Sequence, residues 1–169
     1  MSQKLGLNLG CGRDVRPTTA SIRWINVDYD ADVHPDIVGS VEFPFPGVEF
    51  GTVDEIEAND ILEHVPYRES ALTRWHDALK LWIKYLAPGG RIRIQVPDIH
   101  AIIDRYCARD IDFRTLNRVL FGESTNTLDH HYQVFDMDEL AYVLELLGLE
   151  ILEKRRLHVC AIIIARRPA

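Results

Sequence analysis

The sequence predicts a single α/β domain, residues 1–169, built on a seven-stranded and mostly parallel β-sheet. Two patterns carry the prediction. Short strand-like runs, apolar or alternating, recur along the chain and end on turn-forming, polar or acidic residues: Leu5 to Leu9 before Gly10, Trp24 to Val27 before Asp28, Val53 to Ala58 before Asn59 and Asp60, and Arg91 to Val96 before Pro97 and Asp98. Between the last two lies a helix-periodic stretch, with Leu72, Trp75, Leu79, Trp82, Ile83 and Leu86 at three- and four-residue steps. Open sheets of this kind bind ligands beyond the carboxyl ends of their strands, where these polar residues fall.

The first strand alternates Leu5, Leu7 and Leu9, then stops at Gly10-Cys11-Gly12. Glycine admits positive φ and lets a ligand approach the main chain where a Cβ would block it. A dinucleotide fingerprint needs a third glycine, and Val15 stands there, which argues against NAD or FAD. The segment from Arg13 to Arg23 holds Arg16-Pro17-Thr18-Thr19 and no sustained helical period, so it reads as a loop or one turn. The second strand closes on Asp28, whose carboxylate can accept hydrogen bonds from both hydroxyls of a ribose. A polar turn follows, then a short third strand at Asp36 to Gly39. Phe43-Pro44-Phe45-Pro46-Gly47 is no helix interior. Its aromatics either pack under the sheet edge or flank a ligand ring.

The fourth and fifth strands alternate more strictly than central parallel strands usually do: Glu55 and Glu57 against Ile56 and Ala58, then Arg91, Arg93 and Gln95 against Ile92 and Ile94. As neighbours, they would set an acidic row against a basic one. Ala87-Pro88-Gly89-Gly90 ends the intervening helix, whose tryptophans read as core. Beyond Asp98, two apolar stripes predict an inserted helical pair within about 99–130: Ile102, Ile103 and Tyr106, then Phe113, Leu116, Val119 and Leu120. A polar loop, 122–127, leads to His130-His131. Two adjacent histidines do not face one way and no third ligand lies at suitable local spacing, so no metal site is predicted. Asp136 caps a last helix carrying Leu140, Val143, Leu144 and Leu147, with Glu139 placed to reach back in a capping-box variant. Leu149 to Leu152 and Val159 to Ile164 close the sheet.

Composition bounds the function. The net charge of −7 argues against a nucleic-acid surface. Three scattered cysteines, Cys11, Cys107 and Cys160, suit a reducing compartment. The N-terminus has no apolar signal segment and no apolar run approaches the ~20 residues of a membrane span, so the expected location is cytoplasmic, with no membrane partner.

In four of these stretches the chain resembles the class I, Rossmann-like S-adenosylmethionine-dependent methyltransferases. Their first motif reads like Leu9-Gly10-Cys11-Gly12, and their second strand ends in an acidic residue like Asp28. Asp60-Ile61-Leu62-Glu63-His64 and Leu86-Ala87-Pro88-Gly89-Gly90 also look like the family. The likeness runs from Leu5 to about Arg166. It implies an antiparallel last strand and S-adenosyl-L-methionine as cofactor. Gly10, Cys11 and Gly12 would lie near its methionine part, Asp28 at its ribose, and Asn59 and Asp60 beside the transferred methyl. The implied reaction is methyl transfer to a small-molecule oxygen or nitrogen. The other reading is a methyltransferase-like binding or scaffolding module with little or no catalysis, which the missing or shortened cofactor-side helices favour.

Two expectations follow for side chains. His131, entering just before the last helix, is the candidate general base, with His130 turned elsewhere and His64 and Asp60 as the next candidates. Asn8, Asn26, Glu55, Glu57, Arg91, Arg93 and Gln95 can all project to one sheet face, which should be wet or covered by a second copy in a homodimer.

Overall fold

The computed structural model describes residues 3–66, 74–123 and 129–169. Leu72, placed in the helical stripe, and most of the polar loop 122–127 lie outside them. Five parallel strands form one side of the sheet: β1 (Lys4–Leu9), β2 (Ile22–Asp28), β3 (Ile37–Val38), β4 (Val53–Asn59) and β5 (Leu86–Pro97). An antiparallel hairpin, β6 (Glu150–Leu157) and β7 (Cys160–Arg166), completes it in the order β3-β2-β1-β4-β5-β7-β6. The helices are α1 (Arg74–Tyr85), α2 (Ile99–Cys107), α3 (Phe113–Phe121) and α4 (Met137–Leu146). Among the described residues no helix is long and apolar enough to cross a membrane.

The apolar face of the sheet carries the core. Leu7, Leu9, Ile25, Val27, Ile56, Ala58, Ile92, Ile94 and Ile163 pack with Leu79 and Trp82 of α1 and Leu140 and Leu144 of α4. The Phe43–Gly47 stretch divides. Phe45 is buried and stacks on Tyr85, with centroids 5.1 Å apart, and its backbone N–H donates to the Tyr85 hydroxyl at 2.7 Å. Phe43 stays exposed. Trp82 is fully buried and donates from Nε1 to the Val41 carbonyl at 2.9 Å, so its one polar atom is satisfied.

The opposite face is polar, and the register aligns it. Glu55 pairs with Arg91 and Glu57 with Arg93, the expected acidic row against a basic one. Arg93 Nη1 lies 3.6 Å from Glu57 Oε2. No helix connects β1 to β2, as the sequence indicated; a loop does the covering. Asn26 accepts the Arg16 N–H and donates to the Arg16 carbonyl, Asn8 donates to the Asp14 carbonyl, and the Arg16 guanidinium lies over Trp24 at 4.8 Å. Asn8 and Asn26 are therefore buried rather than wet, which corrects the expectation for these two. At the other end α2 packs against β7, where Ile162 is fully buried. Between these covers Glu57, Arg93 and Gln95 remain half-buried.

Two further differences from the sequence reading have local causes. The fifth strand starts at Leu86, because Leu86 pairs with Val53 before Ala87 to Gly90 bulge out of register. At the bulge Gly89 takes φ +79°, and a Cβ on Gly90 would come within 2.8 Å of the Val53 carbonyl oxygen. At α4, Asp136 accepts the N–H groups of both Asp138 and Glu139, so the cap is a bifurcated acceptor without a reach back from Glu139.

Asp98, just past β5, has no exposed surface and is fully partnered. Its carboxylate accepts the Ala101 N–H at the start of α2 (2.8 Å), the Met137 N–H at the start of α4 (3.1 Å) and Arg156 Nε from β6 (2.8 Å). Replacing Asp98 by Ala removes a helix cap and strands buried donors, so Asp98→Ala should cost about 2–4 kcal/mol in urea denaturation. Tyr85→Phe leaves only the Phe45 N–H unpaired and should cost about 1–3 kcal/mol in the same measurement.

Candidate functional site

Strand order reverses direction between β1 and β4, and such a switch point opens a crevice at the strands' carboxyl ends. A cavity of about 730 Å³ lies there. On one side its wall is formed by Gly10, Gly12, Asp28 and the stretch Ser40 to Phe43; on the other by Asp60, Ile61, His64, His130 and Tyr132.

The glycine turn is shaped by β1 ending at Leu9. Gly10 has φ +63°, and a Cβ there would meet the Ile61 side chain at 2.5 Å. Gly12 has φ +49°, with open space where a Cβ would be, so its backbone faces the cavity unobstructed. The turn is tied to the tip of β2. Asp28 Oδ2 accepts the Gly12 N–H at 2.7 Å, and Asp28 Oδ1 accepts the Asp30 N–H at 2.9 Å. Both oxygens retain lone pairs for a ligand's hydroxyls. Cys11 lies between the glycines but is buried beneath the turn, where its N–H donates to the Val27 carbonyl at 3.1 Å; it is not on the cavity wall. Burial pushes its thiol up to about 11.

Asn59 and Asp60 part company. Asn59 is the last residue of β4 and shares the parity of Glu55 and Glu57, so it turns to the polar face and meets Arg93 and Glu57. It does not line the cavity, which corrects the sequence expectation. Asp60 leaves the strand with φ +50°, a conformation that Asp tolerates better than most residues, and does line it. Its Oδ2 accepts Gln95 Nε2 at 2.8 Å. Loss of water raises the Asp60 carboxyl, against the Gln95 hydrogen bond and the Arg93 charge, which lower it. Cys160 Sγ is 3.8 Å from Asp60 Oδ1, and burial with that carboxylate pushes the thiol up to about 12.

The histidines also differ from expectation. His130 lines the cavity, whereas His131 does not. The His131 side chain turns toward α3, donating from Nδ1 to the Val119 carbonyl at 2.9 Å, and stands edge-on to His64 with centroids 4.8 Å apart. Neighbouring residues on extended backbone point opposite ways, so one of the pair had to turn inward. Glu63 in the 3₁₀ turn Leu62–His64 is buried beside them, and burial raises its carboxyl well above the usual range. Burial, and then the neighbouring His131, lower His64. Glu63, His64 and His131 thus form a compact group drawn from two distant segments. A search for ligands at local spacing misses it; a buried acid beside a histidine, with a second histidine elsewhere, was the available signal.

The fold places the chain among known architectures. A Methanosarcina mazei S-adenosylmethionine-dependent methyltransferase superposes with a TM-score of 0.67 at 14% identity, over 99% of this chain and 94% of its own. An Archaeoglobus fulgidus S-adenosylmethionine-dependent methyltransferase gives 0.61 at 16% identity, over 98% and 86%. Burkholderia thailandensis 1,6-didemethyltoxoflavin-N1-methyltransferase, solved with 1,6-didemethyltoxoflavin and S-adenosylhomocysteine, gives 0.61 at 16% identity, over 99% and 72%. No protein-family model matches the sequence, and no curated protein does. The architecture is the class I, Rossmann-like methyltransferase fold with its helical part shortened.

The cysteines give a direct check on the burial described above. In native protein at pH 8, iodoacetamide should alkylate exposed Cys107 and spare Cys11 and Cys160, whose thiols stay protonated; in urea all three should react, as read by intact mass and peptide mapping.

Proposed function

We propose that this chain is an S-adenosyl-L-methionine-dependent methyltransferase acting on a small-molecule oxygen or nitrogen acceptor. The observation that carries the reading is the convergence of Gly10, Gly12, Asp28 and Asp60 on one cavity at the switch point. The cavity's volume suits a cofactor-sized ligand, since such pockets run ~300–1,000 Å³. The bare backbone at Gly12 and the pre-aligned Asp28 carboxylate fit the methionine and ribose parts of this cofactor. Exposed Phe43, with Val41, offers an apolar wall for the adenine. The Burkholderia enzyme, an N1-methyltransferase by name and solved with 1,6-didemethyltoxoflavin, supports the acceptor class.

The cofactor supplies a methyl group already made electrophilic by its sulfonium. The chain's task is then to align the acceptor in line, exclude water and remove a proton. Asp60 is the group assigned to the proton: its carboxylate lines the cavity and is oriented by Gln95. His64 and His130 border the acceptor side, and His131 has no part in it.

The loop replacing a helix between β1 and β2 favours a second reading, a methyltransferase-like binding or scaffolding module with little or no catalysis. Calorimetric titration and a methyl-transfer assay separate the two. Wild type should bind S-adenosylmethionine or S-adenosylhomocysteine, and Asp28→Ala should weaken that binding by about 1–3 kcal/mol. Absence of binding at millimolar cofactor overturns the methyltransferase reading and leaves a scaffolding module. Against a panel of hydroxyl and amine acceptors, read by S-adenosylhomocysteine release, Asp60→Asn should lower turnover by about 10²–10⁴ with cofactor affinity unchanged. Cofactor binding with no turnover on any acceptor leaves the binding module.

A further inference from the structure

We propose that Glu63, His64 and His131 form a binding site for a divalent first-row transition-metal ion, of the zinc class, at the wall of the cavity. Each residue offers one ligand atom, and these atoms all lie within 4.8 Å of one another. Three atoms so spaced lie within about 2.8 Å of a common centre, and a ~2.0–2.1 Å bond to zinc draws each inward by less than ~1 Å.

The histidine tautomers are set for this. His64 Nδ1 lies 3.1 Å from the His130 carbonyl oxygen, and His131 Nδ1 lies 2.9 Å from that of Val119. A carbonyl can only accept, so both Nδ1 atoms carry the proton and both Nε2 atoms present lone pairs. Metal-bound histidines are held this way, with the second ring nitrogen donating to a backbone carbonyl. Asp129 Oδ1 stands 3.8 Å from His64 Nε2 and 3.9 Å from His131 Nε2, so a carboxylate already lies near both of these nitrogens.

Glu63 supplies the independent observation. Glu63 is 1% exposed, and its Oε2 has no hydrogen-bond partner among the described residues. A buried carboxyl oxygen without a partner is costly, and a cation taken up in place of the acid's proton is a partner that removes the cost. Two imidazoles and one carboxylate make a mixed nitrogen and oxygen set that suits zinc and its neighbours better than magnesium or calcium, which prefer all-oxygen shells. Three protein ligands leave a tetrahedral ion one further position.

The test uses the full chain, stripped with a chelator and without S-adenosylmethionine, so its outcome is independent of methyl transfer. Calorimetric titration with zinc chloride should show one equivalent bound, and cobalt(II) should give the visible absorption of a tetrahedral nitrogen and oxygen site. Glu63→Gln, His64→Ala and His131→Ala should each weaken zinc binding at least tenfold, whereas His158→Gln, on the exposed end of the β6–β7 hairpin, should leave it unchanged. Magnesium should bind at least a hundredfold more weakly than zinc. Glu63→Gln keeps the side chain's size, and circular dichroism verifies that it folds; should His131→Ala not fold, His131→Asn takes its place. Failure of wild type to bind zinc, or full binding by Glu63→Gln and the His131 variant, overturns the site. A chain that binds S-adenosylmethionine but not zinc loses this proposal and keeps the methyltransferase reading; the reverse result separates them the other way.

Discussion

The buried carboxylate of Asp98 is the interaction on which the C-terminal half depends. It begins where β5 ends, and it is the common acceptor for the first turns of α2 and α4 and for Arg156 on β6. A carboxylate with no exposed surface is tolerable only when nearly every lone pair is used. Here two backbone donors and a guanidinium meet that demand, and in doing so they fix where the insertion leaves the sheet and where the chain returns to it. The N–H of Asp98 donates to the Val159 carbonyl and that of Phe135 to the Pro97 carbonyl, so the backbone repeats the same connections. The segment carrying His130, His131 and Tyr132 is therefore hung from a rigid support, although it lies between helices rather than within one.

A second carboxylate, Asp28, performs the matching task in the N-terminal half. It links the glycine turn to the end of β2 through the Gly12 N–H. The two halves meet at the carboxyl ends of the paired strands β1 and β4, where Ile61 fills the space that Gly10 leaves by lacking a Cβ. The cavity is thus bounded by two separately anchored walls, and its shape follows from strand order rather than from any covering helix.

Local motifs were legible in the sequence. Gly10, Gly12, Asp28 and Asp60 reach the cavity because each lies at or just past a strand end, and His64 in the 3₁₀ turn that follows β4; strand ends were readable from the hydrophobic pattern. The misassignment of Asn59 was avoidable, since Glu55, Glu57 and Asn59 share one parity and the strand simply continues through them. The exchange of His130 and His131 was not readable, because nothing local says which of two adjacent side chains meets α3. Nor was the burial of Asn8 and Asn26, whose partners include backbone atoms of the loop at Asp14 and Arg16. Such partners leave no trace in hydropathy. Asp98 read only as a residue at a strand end, because its partners are 3, 39 and 58 residues away.

The opposed acidic and basic rows on β4 and β5 also bear on how the sheet assembles. Side chains alternate faces, so sliding β5 past β4 by one residue would turn Arg91, Arg93 and Gln95 onto the face covered by α1 and α4. A slipped pairing would then bury unpaired guanidinium groups among Leu79, Trp82 and Leu144, at a cost of several kcal/mol. Charges that contribute little to the stability of the finished sheet exclude its nearest competitor during strand association, and a central parallel strand apolar on both faces would have no such discrimination.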